Sequence, residues 1–177
     1  LKRDHIARAH RPATQVYFSA AMSSEITTTS YIWYIEDNDA DLTATVLIDS
    51  TGEAAGVVVY NETKVYFTDS SGSIWSIEND GLDSKEIFSY DEYDMEGSPQ
   101  GLDVWKWAET LYWADTDMSA VYSVRLNGED FTTVTNEISE PFDVSLQPHE
   151  GRLYVSDLAT NAVKRVDTNG SALHDFL

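Results

Sequence analysis

Apolar residues along this chain come in short runs separated by polar turn residues, and that pattern sets the first expectation. Gly56-Val57-Val58-Val59, Leu111-Tyr112-Trp113-Ala114, Val121-Tyr122-Ser123-Val124 and Leu153-Tyr154-Val155 are examples, each rich in β-branched or aromatic side chains. The runs are bounded by turn formers such as Asn79-Asp80-Gly81, Asn127-Gly128 and Asn169-Gly170. Short β-branched and aromatic runs between turn formers predict strands, because such side chains suit a pleated, half-buried surface. No stretch carries helical spacing, which excludes helical solenoids.

The runs also repeat. Val65-Tyr66-Phe67-Thr68-Asp69, Leu111-Tyr112-Trp113-Ala114-Asp115 and Leu153-Tyr154-Val155-Ser156-Asp157 are copies of one pentapeptide, with a weaker copy at Val16-Tyr17-Phe18-Ser19-Ala20. Their last residues, 20, 69, 115 and 157, lie 49, 46 and 42 positions apart. Each copy follows an apolar stretch (Gly56 to Val59, Gly101 to Val104, Pro141 to Val144) and precedes another (Ile74 to Ile77, Val121 to Val124, Val163 to Val166). In the first copy the corresponding Ile32-Trp33-Tyr34-Ile35 is delayed by a Ser/Thr-rich insertion, Met22 to Ser30, read as a long hairpin loop. Units of about four strands repeating at this period describe small antiparallel sheets stacked radially, an all-β β-propeller. Four blades are expected, roughly 1–50, 51–98, 99–138 and 139–177. A β-sandwich would not need the same aromatic pentapeptide at the same place in successive sheets.

These residues resemble the low-density-lipoprotein-receptor class B, or YWTD, repeat. The third unit follows its order from Gly101-Leu102-Asp103-Val104 through Leu111 to Asp115 and Asn127-Gly128, and the fourth matches at Pro141, Val144, Tyr154, Asp157 and Asn169-Gly170-Ser171. The tetrapeptide itself varies, and Ala20 stands where the first copy should have Asp. The resemblance implies an architectural motif: Tyr66, Phe67, Tyr112, Trp113 and Tyr154 packing between blades, and Asp69, Asp115 and Asp157 tying strand to turn. It also implies a six-bladed ring, so four blades are either part of such a ring or an arc completed by another chain or by further copies. A tight four-bladed closure is the third solution. An open arc leaves a blade face bare at each end.

Composition narrows the function. With 11 Lys plus Arg against 31 Asp plus Glu the net charge is −20. Tracking a phosphate backbone needs a basic surface, so nucleic acid is not an expected partner. There is no Cys, which removes disulfides, thiolate metal sites and cysteine nucleophiles together. No apolar run approaches the roughly 20 residues of a spanning helix. The chain starts at Leu1 and not Met, as expected of a processed or excerpted product.

Candidate chemistry is sparse. Asp37, Asp39 and Asp41 alternate as oxygen ligands for Ca²⁺ would, but Leu42 stands where an EF-hand loop needs Gly, and a solvated acidic loop is preferred. Asp91 to Glu96 is a second acidic stretch. Asp103 and Asp143 are expected at equivalent positions beside a central channel, either satisfying backbone groups, which is preferred, or holding a divalent ion for a lactonase-type hydrolase. His5, His10, His149 and His174 fall in no metal motif, and no nucleophile elbow or phosphate loop occurs. Trp105 and Trp107, on one side of an alternating segment, either pack between blades, which is preferred, or anchor a partner. Asn61-Glu62-Thr63 and Asn169-Gly170-Ser171 are N-glycosylation sequons in expected turns. The combined expectation is a non-enzymatic extracellular or lumenal scaffold for protein interaction or assembly, without a required cofactor. Its rivals are a filament or lattice subunit and a metal-dependent hydrolase.

Overall fold

The computed structural model describes residues 14–23, 28–37, 42–50, 54–61, 64–69, 71–78 and 80–177, with side chains from Ala54 onward. Among these residues the fold is all-β. Four antiparallel sheets follow one another, each with its strands in chain order. The first holds β1 (Thr14–Ser23), β2 (Thr28–Asp37) and β3 (Leu42–Ser50). The second holds β4 (Ala54–Val59), β5 (Lys64–Asp69), β6 (Ser73–Glu78) and β7 (Lys85–Ser89), followed by a 3₁₀ turn, Tyr90–Tyr93. The third comprises β8 (Pro99–Trp105), β9 (Thr110–Asp115), β10 (Ala120–Arg125) and β11 (Thr132–Thr135). The fourth comprises β12 (Pro141–Gln147), β13 (Arg152–Asp157), β14 (Ala162–Asp167) and β15 (His174–Asp175). β4 lies against β8 and β8 against β12, so successive sheets fan from a shared inner edge as propeller blades do.

Strand register shows how the sheets correspond. One-residue bulges recur between the last two strands, at Ile74/Trp75 in the second sheet and Val121/Tyr122 in the third. The first sheet has the same bulge at Ile32/Trp33, between β2 and β3. β1 therefore takes the place of β5, β9 and β13, as the repeat of Val16 to Ala20 requires, and no described strand fills the innermost place of that sheet. The insertion read as a loop is a correction: β1 and β2 stay paired through Ala21↔Ser30, Met22↔Thr29 and Ser23↔Thr28. The physical reason lies at the aspartate position. Asp69 Oδ1 accepts from Ser71 N–H at 2.7 Å and Asp115 Oδ1 from Met118 N–H at 2.8 Å, fixing a tight turn. Ala20 has no carboxylate with which to close one there, and Ala21 to Ser23 and Thr28 to Ser30 continue as paired strand, while residues 24–27 lie outside the described residues.

Packing separates inner from outer sheets. Tyr66 and Ile74 of the second sheet share a core with Leu111, Trp113 and Tyr122 of the third. Tyr112, Ala114 and Val121 of the third share another with Val144, Leu153 and Val155 of the fourth. Ala54, Val65, Phe67 and Ile77 form a buried cluster on the second sheet's other face, toward which β1 packs against β4. Phe88 bridges the first interface, 5.0 Å from both Tyr90 and Trp113, and Trp113 Nε1 donates to the Tyr90 hydroxyl at 3.1 Å. Edge-to-face and tilted rings of this kind add to the area they bury. Burial raises the Tyr90 pKa, assisted by the Asp115 carboxylate beside it.

Candidate protein-interaction site

The repeat motif is built into the blades. In the second and third sheets the tyrosine and the residue before the aspartate face the next sheet, and in the third and fourth the alternate residues face the previous one. Thr68 shows what the polar position does: its Oγ1 accepts from Gly56 N–H at 2.7 Å and donates to the Gln100 carbonyl at 2.8 Å, joining the inner strands of two sheets. Ser156 at the same register accepts from Asp143 N–H at 3.0 Å. Asp157 accepts from Thr160 Oγ1 at 2.8 Å and Glu140 N–H at 3.2 Å, with Lys164 Nζ 3.9 Å away. Burial alone would raise its pKa; the Thr160 hydroxyl, the Glu140 N–H and the Lys164 charge outweigh it and hold the group below the usual carboxylate range.

The two inner-strand carboxylates are not equivalent, which corrects the sequence alignment. Asp103 pairs with Tyr112, whereas Asp143 pairs with Ser156, so Asp143 matches Gly101 and Asp103 matches Ser145. The shared Asp-Val pair misleads because true counterparts here are 42 residues apart, like Asp115 and Asp157. Asp103 accepts from Val104 N–H at 2.7 Å and Leu146 N–H at 2.8 Å, and Asp143 from Val144 N–H at 2.9 Å. Burial raises the Asp143 pKa, the Val144 N–H opposes this, and the Asp103 charge adds to it. A Cβ on Gly101 would lie 1.9 Å from Asp143 Oδ1 and 2.8 Å from its Cα, so the inner strands meet there closely enough to require glycine.

Trp105 and Trp107 part company. β8 ends at Trp105, and residues 106–109 turn toward β9, so strand alternation stops before Trp107. Trp105 is half-buried against the core between the third and fourth sheets, its Nε1 buried without a hydrogen-bond partner among the described residues. Trp107 is 74% exposed and rests on the His149 ring at 5.4 Å. Both line a groove of about 260 Å³ with Asp103, Lys106, Leu146 and Pro148. The arrangement offers an apolar wall, an exposed indole face and a lysine at the edge, which suits a protein segment with an apolar anchor and a nearby carboxylate. His149, set aside by motif reasoning, joins the site through the turn between β12 and β13. Only the correspondence of that turn with the Trp107 turn could have signalled it.

Other singled-out residues lie elsewhere. Antiparallel order puts the Asn61, Trp107, His149 and Asn169 turns at one end of the sheets. Asn61 Oδ1 accepts from Lys64 N–H at 2.8 Å, and Glu62 and Thr63 lie outside the described residues. Asn169 is exposed, its Oδ1 accepting from the backbone N–H and hydroxyl of Ser171 at 3.0 and 2.7 Å. Asp37 ends β2, while Asp39 and Asp41 lie outside the described residues, as do His5 and His10. The second acidic stretch forms the 3₁₀ turn beside the Phe88 cluster, where Tyr93 stacks on Phe88 at 5.5 Å. Among the described residues no three His, Asp or Glu side chains converge as a metal site, and no helix is long and apolar enough to cross a membrane.

Comparison with known proteins agrees with the blade reading. The chain is 31% identical over 122 residues to the vitellogenin receptor of Solenopsis invicta, a match covering 68% of this chain and 7% of that protein. The chain thus spans a small fraction of that relative. It is similar in structure to a chain in the crystal structure of a nidogen/laminin complex, with TM-score 0.75 and 16% identity over 93% of this chain and 61% of the other. A putative TolB from Agrobacterium tumefaciens follows with TM-score 0.67 and 12% identity, over 90% and 60%. No family model matches the chain. The propeller fold and the resemblance to class B repeats both stand on these findings.

Proposed function

We infer that this chain, a set of low-density-lipoprotein-receptor class B propeller blades, is a non-enzymatic scaffold that holds a protein partner at the Trp107 groove. The observation that carries the reading is the 74% exposure of Trp107, beside a groove walled by Trp105, Leu146 and Pro148. A large aromatic face held open on rigid blades costs little ordering on binding, and tryptophans dominate interface energetics. The similarity to a vitellogenin receptor and to a chain of a nidogen/laminin complex supports an extracellular setting and a protein ligand. The net charge of −20 favours a partner with basic flanks around its apolar anchor. Two sequons at the groove's end fit passage through the secretory route. Trp107→Ala is expected to leave the unfolding midpoint unchanged and to weaken a captured extracellular partner about 30-fold or more. Unchanged affinity for every partner that the native chain captures refutes the site.

Assembly of arcs into a filament or lattice is a second reading, favoured by the open face of the fourth sheet, where Phe176 is 48% exposed. The hydrolase reading gains no such observation, because both Asp103 oxygens already serve backbone N–H groups.

A further inference from the structure

A second cleft, of about 380 Å³, opens between the second and third sheets at the end that carries the Trp107 turn, and it has the size of a small-ligand site. Tyr60 and Asn61 line it from the hairpin that joins β4 to β5, Tyr66 and Glu78 from β5 and β6, and Glu109 from the turn before β9. The Tyr60 and Tyr66 rings meet edge to face, their centroids 6.0 Å apart, and form an aromatic corner. Tyr66 is 3% exposed, and among the described residues no hydrogen bond engages its hydroxyl. Burial, with Tyr60, Glu78 and Glu109 nearby, pushes that hydroxyl up to about 12, so it stays a donor at neutral pH. Lys64 Nζ pairs with Glu78 at 3.0 Å, whereas Glu109 forms no ion pair among the described residues and keeps its carboxylate as an acceptor.

An aromatic corner with a donor and an acceptor beside it suits a sugar ring, whose C–H face rests on an aromatic ring while its hydroxyls reach polar groups. A metal cation is served less well, because Lys64 stands in the same wall and no three carboxylates converge among the described residues. The source of the sugar lies in the wall itself. Asn61 opens the sequon Asn61-Glu62-Thr63, directly follows Tyr60 and is exposed. Tyr60 N–H donates to the Lys64 carbonyl at 2.9 Å and Lys64 N–H to Asn61 Oδ1 at 2.8 Å, which holds the side chain over the turn. Asn169 differs: it lies between Thr168 and Gly170 with no ring in its turn, and its Oδ1 is engaged by Ser171.

We propose that Asn61 carries an N-linked glycan whose first N-acetylglucosamine seats in this cleft against Tyr60 and Tyr66, with Glu109 accepting from a sugar hydroxyl, so that the glycan ties the second sheet to the third. The modification joins Asn61 Nδ2 to C1 of a lipid-diphosphate-linked oligosaccharide; the C1–O bond breaks, the diphosphate leaves with its electron pair, and the amide gives up one proton. The proposal rests on the preceding reading only for the secretory setting, and Trp107 takes no part in it. The experiment sends the full chain through a glycosylating host behind a cleavable leader and trims each glycan to one N-acetylglucosamine. Mass spectrometry is expected to find Asn61 occupied. In urea unfolding the trimmed chain should have a folding equilibrium constant about fivefold above that of the Asn61→Gln chain, and the gain should fall below about twofold in a Tyr60→Leu background. If a variant fails to fold, nuclear magnetic resonance of the trimmed native chain gives the same answer: ring currents should shift the Asn61 sugar protons upfield. An unoccupied Asn61, an equal gain in both backgrounds, or sugar protons at their free positions overturns the proposal. So does a melting midpoint that Ca²⁺ raises in the native chain and not in Glu109→Gln, because the cleft is then a cation site. A Trp107→Ala chain that keeps its partner refutes the preceding reading and leaves each of these outcomes unchanged.

Discussion

The third and fourth sheets carry the same repeat motif, yet they are buried differently. Leu111 through Asp115 of β9 are all buried, because a sheet covers each face. In β13 only Leu153, Val155 and Asp157 are buried, and Tyr154 and Ser156 between them stay half-exposed. The motif therefore specifies a blade with two faces, and the neighbours decide which face becomes core. Burial in such a stack belongs to the interface as much as to the residue.

Substitutions at matched positions can break this comparison. The largest effect is expected for Trp113→Ala, about 3–5 kcal/mol, since the ring is fully buried and its loss also strips the Tyr90 hydroxyl of a donor. Val155→Ala at the same register should cost about 1–3 kcal/mol. Urea unfolding of both would show whether the inner sheet depends more on this position. Next comes the tyrosine pair: Tyr112→Ala, from a side chain 5% exposed, should cost about 3 kcal/mol, and Tyr154→Ala about 1 kcal/mol. Equal losses would mean that the fourth sheet is covered in solution. Smaller still is Asp157→Asn, expected to cost about 1–2 kcal/mol at neutral pH through its charge-assisted hydrogen bonds. Its folded pKa is depressed, so the stability it brings is present above the ordinary carboxylate value and is lost as pH falls through the folded one. The smallest effect has the opposite sign. Asp143 has a raised folded pKa, so its favourable contribution is present at acid pH and fades as pH rises through that value. Asp143→Asn should therefore be slightly more stable than the native chain at neutral pH, with the gain absent in acid. Melting curves across pH for the two aspartate variants should diverge in opposite senses.

The strands and their repetition were legible because each sheet spends its turn residues and aromatics in the same order. The bulges were not, since an extra residue in one strand leaves no compositional trace, and Asp103 and Asp143 were matched by local likeness when the spacing of Asp115 and Asp157 held the true register. Polarity alone reads the Ser/Thr run as loop, although threonines suit paired strands. Strand alternation misplaces Trp107 because it ends two residues earlier. Its exposure depends on where the turn begins, which neighbouring sheets settle.

The long pairing of β1 with β2 makes the blades unequal at the end opposite the tryptophans. Three pairs past Ala20↔Tyr31 carry that hairpin about 10 Å beyond the level at which its counterparts turn back. Among the described hairpins at that end it alone runs past the aspartate position, so it sets one sheet apart in outline from the three that follow it.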